Sequence, residues 1–417
     1  MLSQLLKIIW ANKKINFLII LELILVFIII WFCCDYIYFN LKRYIEPTGF
    51  NIDNTYLIKV GLNENAEPVN IYSFESVENP SKKSVLFNLI KQYPDVESMS
   101  FSYMASPYST SNQTQGFFID SNNFTSFRKY ITPEFLDVFK IGILHGNNFA
   151  WNDIISQNSV LISPESDFTI TNIDYNKITK INSSKDNEYH VRAVTERIKY
   201  YEITDYMTFV FTPFSVDDVI DEDTEICIRT KSNAGKNFME NFSQYINENS
   251  MDDPYYLASI KSFKEIKKRY LTLTGLSSNF KSILAISIFL FANVFLIILG
   301  TFWFRTQSRR SELGLRMAIG STKVDIHKII ISEALILLFI ASIIALIICI
   351  NVSMIGILNE MGIPIINRSW EKVNISQYFI NYFFSFLTMA IIIIISVWKP
   401  ASNASKIQPA TVLKMDN

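Results

Sequence analysis

Residues 15–34 read INFLIILELILVFIIIWFCC, and this run decides the class of fold. About 20 residues rising about 1.5 Å each cover the roughly 30 Å hydrocarbon core of a bilayer. Lys13 and Lys14 precede the run, no small-residue cleavage site follows it, and it exceeds a signal-peptide core. It therefore reads as a retained membrane anchor. Three further apolar runs lie at residues 282–304, 329–352 and 377–398. A buried helix of a water-soluble protein would be shorter and would alternate with polar positions. The expected fold is membrane α-helical with four transmembrane helices. A large α+β extracytoplasmic domain, residues 35–281, is inserted between helices 1 and 2.

The flanks of these runs set the orientation, because Lys and Arg in short loops stay in the cytoplasm. The N-terminal segment 1–14 carries Lys7, Lys13 and Lys14 with no acid. The loop 305–328 carries Arg305, Arg309, Arg310, Arg316, Lys323 and Lys328 against Glu312 and Asp325. The tail 399–417 has Lys399, Lys406 and Lys414 against Asp416. Both termini and the basic loop are expected inside the cell. The balanced loop 353–376 and the polar region 35–281 are expected outside.

Within the outer region, residues 56–62, 97–103 and 225–230 alternate like strands. Residues 81–92 and 234–246 have helical spacing. Strand, helix and strand follow one another over 56–103 and again over 225–261. Two such units can pair into an open α+β sandwich. Residues 104–223 are then an insertion of strand and loop. Tyr36 to Ile45 and Phe263 to Phe280 are expected to prolong the first and second spans as helical stalks.

No catalytic, cofactor or metal site emerges. His145, His190 and His327 are scattered, and Cys33, Cys34, Cys227 and Cys349 form no disulfide framework or zinc spacing. Adjacent Cys33 and Cys34 read as packing residues rather than lipidation sites. No Gly-rich loop of the nucleotide-binding type occurs, so this chain cannot cradle ATP phosphates by itself. A formal net charge of -1 gives no reason to expect nucleic acid.

Three polar residues sit in or beside the spans: Glu22, Asn293 and Glu333. Such groups face partner helices or watery cavities. Glu22 reads as protonated or hydrogen-bonded across a helix interface, in preference to a proton relay. Glu333 is expected to reach the membrane interface. In the basic loop, Arg309, Glu312, Arg316 and Lys323 fall at helical spacing on one face. Glu312 and Arg316 are a favourable i, i+4 pair. Leu313, Met317 and Val324 lie on another face, making an amphipathic helix for a membrane surface or a partner groove. Gly320 can end it, and Ser321 can cap the next helix with Asp325 in its first turn.

The stretch ELGLRMAIGSTKVDIHKIIISEA, residues 312–334, resembles the signature of FtsX-like permeases, the family that includes MacB-type exporters. Glu312, Gly314, Arg316, Ala318 and Gly320, followed by Glu333, stand where that family has an acid, glycine, arginine, alanine, glycine and acid. The tail, with Pro400, Ala404, Pro409 and Leu413, looks like the family ending. Residues 131–149, with Pro133, Phe135, Gly142 and Gly146, resemble the MacB-like periplasmic core. Residues 160–163 and 189–194 follow in the expected order. Asn147 departs from the family's usual arginine and Ala193 from its usual glycine.

The resemblance implies an FtsX-like permease domain over 282–410 and a MacB-like core outside. It implies that Arg309, Glu312, Leu313, Gly314, Arg316, Ala318 and Gly320 dock into a separate ABC ATPase subunit, which holds ATP and Mg. A second permease copy or paralogue, membrane lipids and a periplasmic adaptor or envelope protein are the other expected partners. The expected location is the plasma (inner) membrane. The expected function is ATP-driven export of a peptide, drug, lipid or lipoprotein cargo by mechanical transmission. The alternatives are an FtsX-type scaffold activating an envelope enzyme such as a cell-wall hydrolase, and a membrane-anchored sensor without an ATPase.

Overall fold

Four helices carry the long apolar runs. They are α1 (Lys13–Ile45), α6 (Leu276–Ser308), α8 (Lys323–Ile355) and α9 (Ile375–Ala404). Each is long and apolar enough to cross a bilayer. A short helix, α7 (Arg310–Ala318), lies between α6 and α8. The computed structural model describes residues 10, 13–64, 66–71, 84–119, 122–151, 159–164, 179–183, 188–214, 218–235, 237–355 and 375–404. Most of the loop 353–376, the tail beyond residue 404 and nearly all of the N-terminal segment fall outside these residues.

The chain divides into a membrane unit, Met1–Lys42 with Asn279–Asn417, and an outer unit, Arg43–Ser278. In the membrane unit, Phe27, Ile30 and Trp31 of α1 meet Ile298 and Phe302 of α6, together with Leu337, Leu338 and Ile393 from α8 and α9. Ala334, Ala341 and Ala345 of α8 are fully buried. Small residues let helices approach closely where lipid offers no hydrophobic drive for association.

The outer unit holds the large α+β domain between the first and second spans. Its frame is β1 (Thr55–Leu62), α2 (Val85–Gln92), β2 (Val96–Tyr103), β12 (Glu225–Thr230), α4 (Phe238–Asn249) and β13 (Tyr255–Ser262). The strand order is β2-β12-β1-β13, with antiparallel neighbours throughout. The two strand–helix–strand units therefore interleave, as in a ferredoxin-like split arrangement. Helices α2 and α4 cover one face, burying Leu86, Phe87, Ile90, Phe238, Phe242 and Ile246 over Ile58, Phe101, Ile226 and Ile228. The helix expected from residue 234 begins at Phe238. The other begins at Val85, and residues 81–83 lie outside the described residues.

The described residues of the insertion form a series of short strands and one short helix. They include β3 (Gln113–Ile119), β4 (Asn122–Ile131), α3 (Phe135–Phe139), β5 (Ile143–Gly146), β6 (Ser159–Ser163), β7 (Lys180–Ser183) and β8 (Glu188–Thr195). The hairpin β9 (Ile198–Lys199) and β10 (Tyr206–Met207) and then β11 (Phe209–Pro213) follow. Strands β4, β3, β7, β8, β6 and β11 pair in that order, and β11 pairs back onto β4. The ring closes into a small barrel, which removes its open edges. Phe117, Ile119, Val160, Ile162, Ile181, Tyr189, Val194 and Val210 fill one core of it. Gly146 has φ +83°, and a Cβ there would meet the Arg192 carbonyl oxygen at 2.1 Å. Only glycine allows strands β5 and β8 to come so close.

Two buried charges fasten the loop after β2. Glu225 accepts from Ser102 Oγ (2.9 Å), the amides of Ala105 (3.1 Å) and Ser106 (2.8 Å), and Ser106 Oγ (2.7 Å). Lys129, 2% exposed, donates to the Met104 carbonyl and to Asn112 Oδ1 (2.7 Å). Burial lowers its ammonium pKa from the usual lysine range to about 8, against the opposing pull of Glu225. The unfolded chain thus binds the extra proton between pH 8 and the ordinary lysine value, so this residue's contribution to stability grows as pH rises through that window. Thermal unfolding of the full chain and of Lys129→Met should reveal this. Between pH 7.5 and 9.5 their stability difference should move towards the wild type by about 2 kcal/mol. A shift towards the variant would refute it.

The stalks behave differently from each other. Helix α1 continues unbroken to Ile45, as expected. The second does not run straight into its span. Helix α5 (Phe263–Leu273) ends at Gly275, whose φ of +71° breaks the helix before α6 begins. A left-handed residue is a helix stop.

Candidate functional site

The basic loop folds as a helix–break–helix. Helix α7 closes with Gly320 at φ +111°, its amide donating to the Met317 carbonyl (3.1 Å). Helix α8 then starts with a reciprocal cap: Thr322 Oγ1 accepts from the Asp325 amide (3.2 Å), and Asp325 Oδ2 accepts from the Thr322 amide (3.0 Å). The cap is Thr322 rather than the expected Ser321, because Thr322 stands three residues before the acid. The break also removes Lys323 and Val324 from the faces of α7 on which continuous spacing puts them. Both belong to α8.

A chain of ionic contacts runs through the site. Arg309 Nε donates to Glu312 Oε2 (2.8 Å), and Arg316 Nη2 donates to Glu312 Oε1 (2.9 Å), which realises the expected i, i+4 pair. Arg309 Nη1 also donates to Glu333 Oε2 (2.6 Å), and Arg305 Nη2 donates to Glu333 Oε1. Glu333 is 2% exposed and is held by two guanidinium groups. The hydrogen bond from Arg309 keeps the Glu312 carboxyl below the usual range, with burial working against it.

Apolar contacts complete the mounting. Leu313 and Gly314 are buried, and Met317 packs against the bundle core. The opposite face of α7 is open, with Leu315 51% and Ile319 79% exposed, and Val324 in the first turn of α8 is 60% exposed. Ala318 and Gly320 are exposed beside them. Arg305, read from sequence only as a topology charge, proves to be the inner anchor of Glu333. Its signal was an arginine immediately after an apolar run.

The spans carry further polar ties. Thr301 Oγ1 donates to both Glu22 oxygens (3.0 and 3.1 Å), so Glu22 is hydrogen-bonded across the α1–α6 interface. Asn293 turns back on its own helix, donating to the Phe289 carbonyl (2.7 Å). Sequence reasoning missed Asp35, which stands inside α1 rather than at the head of the outer region. It is fully buried and accepts from Asn381 of α9. It also missed Ser342 and Tyr382, whose hydroxyls lie 2.8 Å apart between α8 and α9. In the outer unit, a groove of about 550 Å³ is lined by Lys59, Tyr103, Tyr108, Lys261, Arg269 and Tyr270, among others. Among the described residues, no group of His, Cys, Asp and Glu could hold a metal ion.

Residues 284–409 match the family model described as FtsX-like permease C-terminal. No curated protein sequence matches the chain significantly. Among solved structures, the chain is similar to the periplasmic region of MacB from Actinobacillus actinomycetemcomitans. That match has 11% identity and TM-score 0.34, and covers 54% of this chain and 97% of that one. A domain of a putative permease protein from Porphyromonas gingivalis gives 12% identity and TM-score 0.33, covering 51% and 90%. The extracellular domain of the noncanonic ABC-type transporter YknZ from Gram-positive bacteria gives 14% identity and TM-score 0.29, covering 49% and 100%.

Proposed function

We propose, from the premise that residues 284–409 are an FtsX-like permease domain, that this chain is the membrane subunit of an ABC-type machine whose ATPase is a separate subunit. The observation that carries this reading is the two-sided mounting of α7. One side is fixed to the bundle by Leu313 and the Arg309–Glu312–Arg316 and Glu333 contacts. The other side presents Leu315 and Ile319 to the surroundings. Large apolar side chains exposed together next to charged groups mark an interaction surface. A partner that grips this face moves a rigid lever, because the ion contacts leave the helix little freedom to yield.

In this reading ATP and Mg are bound by the partner, and this chain performs no chemistry. Arg309, Glu312 and Arg316 hold the lever in place. Gly314 and Ala318 keep it slim, and Gly320 sets the angle to α8. Basic residues around α7 place it and both termini in the cytoplasm, so the outer unit lies on the far side. Two permease copies or paralogues work with two ATPase subunits. Their strokes move the outer units to expel a cargo such as a peptide, drug, lipid or lipoprotein.

The test is co-purification of the full chain with its ATPase subunit, followed by ATPase measurement in nanodiscs. Glu312→Lys places three cations in a row on α7, and Gly314→Trp forces a large ring into a buried position. Each should lower permease-dependent ATPase stimulation at least tenfold while membrane insertion is retained. Stimulation at the wild-type level in both variants would overturn the lever. Failure of the intact chain to associate with any nucleotide-binding subunit would overturn the ABC assignment itself.

A further inference from the structure

The polypeptide joins the outer unit through two segments, one incoming over residues 43–54 and one outgoing over α5. The β9–β10 hairpin touches both. Its turn is stitched by Thr204, which accepts from the amides of Tyr200 (3.2 Å) and Tyr201 (3.3 Å) and donates to the Tyr201 carbonyl (2.8 Å). Such a turn is a stiff platform rather than a loose loop.

The incoming segment is held by the two legs and the tip of the hairpin. The Lys199 ammonium, fully buried, donates to the Arg43 carbonyl (2.7 Å) and pairs with Glu46 Oε2 (3.0 Å). The Lys199 amide donates to the Thr48 carbonyl (2.9 Å), and the Tyr206 hydroxyl donates to the Pro47 carbonyl (2.9 Å). Asp205 pairs with Arg43. Gly49 lies so close below that an added Cβ would meet the Arg197 carbonyl oxygen at 2.1 Å.

The outgoing helix is held by the same turn. Glu202 accepts from Lys267 Nζ (2.5 Å) of α5 and from the Tyr108 hydroxyl (2.6 Å). Tyr270 of α5 packs its ring against those of Tyr201 (5.7 Å), Tyr108 (5.9 Å) and Tyr200 (6.2 Å). A direct surface pair, Lys264 with Asp53 (2.8 Å), also bridges the two segments. Both of its side chains are exposed, so it adds little.

We infer that the β9–β10 hairpin is a clasp: it locks the incoming segment and the outgoing helix into one mechanical body where the chain enters and leaves the outer unit. Pairing of β1 with β13 already sets these segments side by side further along. The clasp adds rigidity at their near ends, where α1 and α6 continue the chain. Without it, a movement of either helix would bend its own connection and stop there. With it, the movement of one reaches the other and the barrel together. The locking stands on the outer unit alone. Its use in carrying a stroke rests on the permease reading above.

Hydrogen exchange of the full chain in nanodiscs tests the lock without any transport assay. Lys199→Met removes a side chain whose polar contacts go to the incoming segment and whose ammonium also lies over the Tyr206 ring within the hairpin. Amides of residues 43–54 should exchange at least tenfold faster, and so should those of 263–275. Glu202→Gln should act in mirror image, loosening α5 first and residues 43–54 with it. Strand β12 should stay at the wild-type rate in both. If each variant loosens only the segment that its own side chain touches, the clasp is refuted. Should β12 also open in Lys199→Met, global unfolding is the cause. Tyr206→Phe, which removes a single hydroxyl, and Glu202→Gln then decide by the same measurement.

Discussion

Replacing Glu333 with methionine should destabilise the membrane unit by about 3–5 kcal/mol, the cost of breaking a buried ionic contact from one side. Its carboxylate is the shared acceptor of Arg305 and Arg309, and Arg305 is itself buried. Removing the acid leaves Arg305 charged with no carboxylate beside it. Arg309 keeps Glu312 as its partner. The double variant Glu333→Met with Arg305→Met removes both ends of the most buried contact. It should therefore be more stable than Glu333→Met alone, a sign that additive losses cannot give. Unfolding of the full chain in nanodiscs measures both. A double variant no better than the single one would show that the arginine finds solvent or lipid headgroups by itself.

In the outer unit the largest effect is expected from Glu225→Ala. This carboxylate takes four hydrogen bonds, from Ser102 near the end of β2 and from Ala105 and Ser106 of the loop that follows. Two donors are backbone amides of Ala105 and Ser106, and such groups cost about 1–3 kcal/mol each when buried without an acceptor. A loss of about 3–5 kcal/mol follows, with residues 103–111 opening first. Glu225→Gln keeps one strong acceptor and should lose about half as much. Denaturant unfolding with exchange followed in residues 101–131 separates the cases. A loss below about 1 kcal/mol for Glu225→Ala would mean that water replaces the carboxylate.

These two sites differ in how far the sequence revealed them. Glu333 stood out as an acid in an apolar run, yet its partners could not be read. Arg305 and Arg309 precede it by 28 and 24 residues and lie across a helical break. Glu225 gave no signal at all, since an acid at the start of a strand is ordinary. The hairpin that grips both connecting segments was likewise invisible, because two-residue strands carry no periodicity. The closing of 104–223 into a barrel depends on β11 meeting β4, some 80 residues apart along the chain. Local alternation marks a strand but never names its neighbour.

Local chemistry alone, then, determined the helices that can cross a membrane, the strand–helix–strand units of the outer unit, and the end of α7 at Gly320. Each rests on hydrophobic run length, spacing or a glycine's freedom at positive φ, all properties of neighbouring residues. Tertiary structure decided the rest: which cations share Glu333, which donors crowd Glu225, and which turn holds residues 43–48 and α5 at once. Those pairings form only when distant segments are brought within hydrogen-bond reach, and burial then makes each of them costly to break.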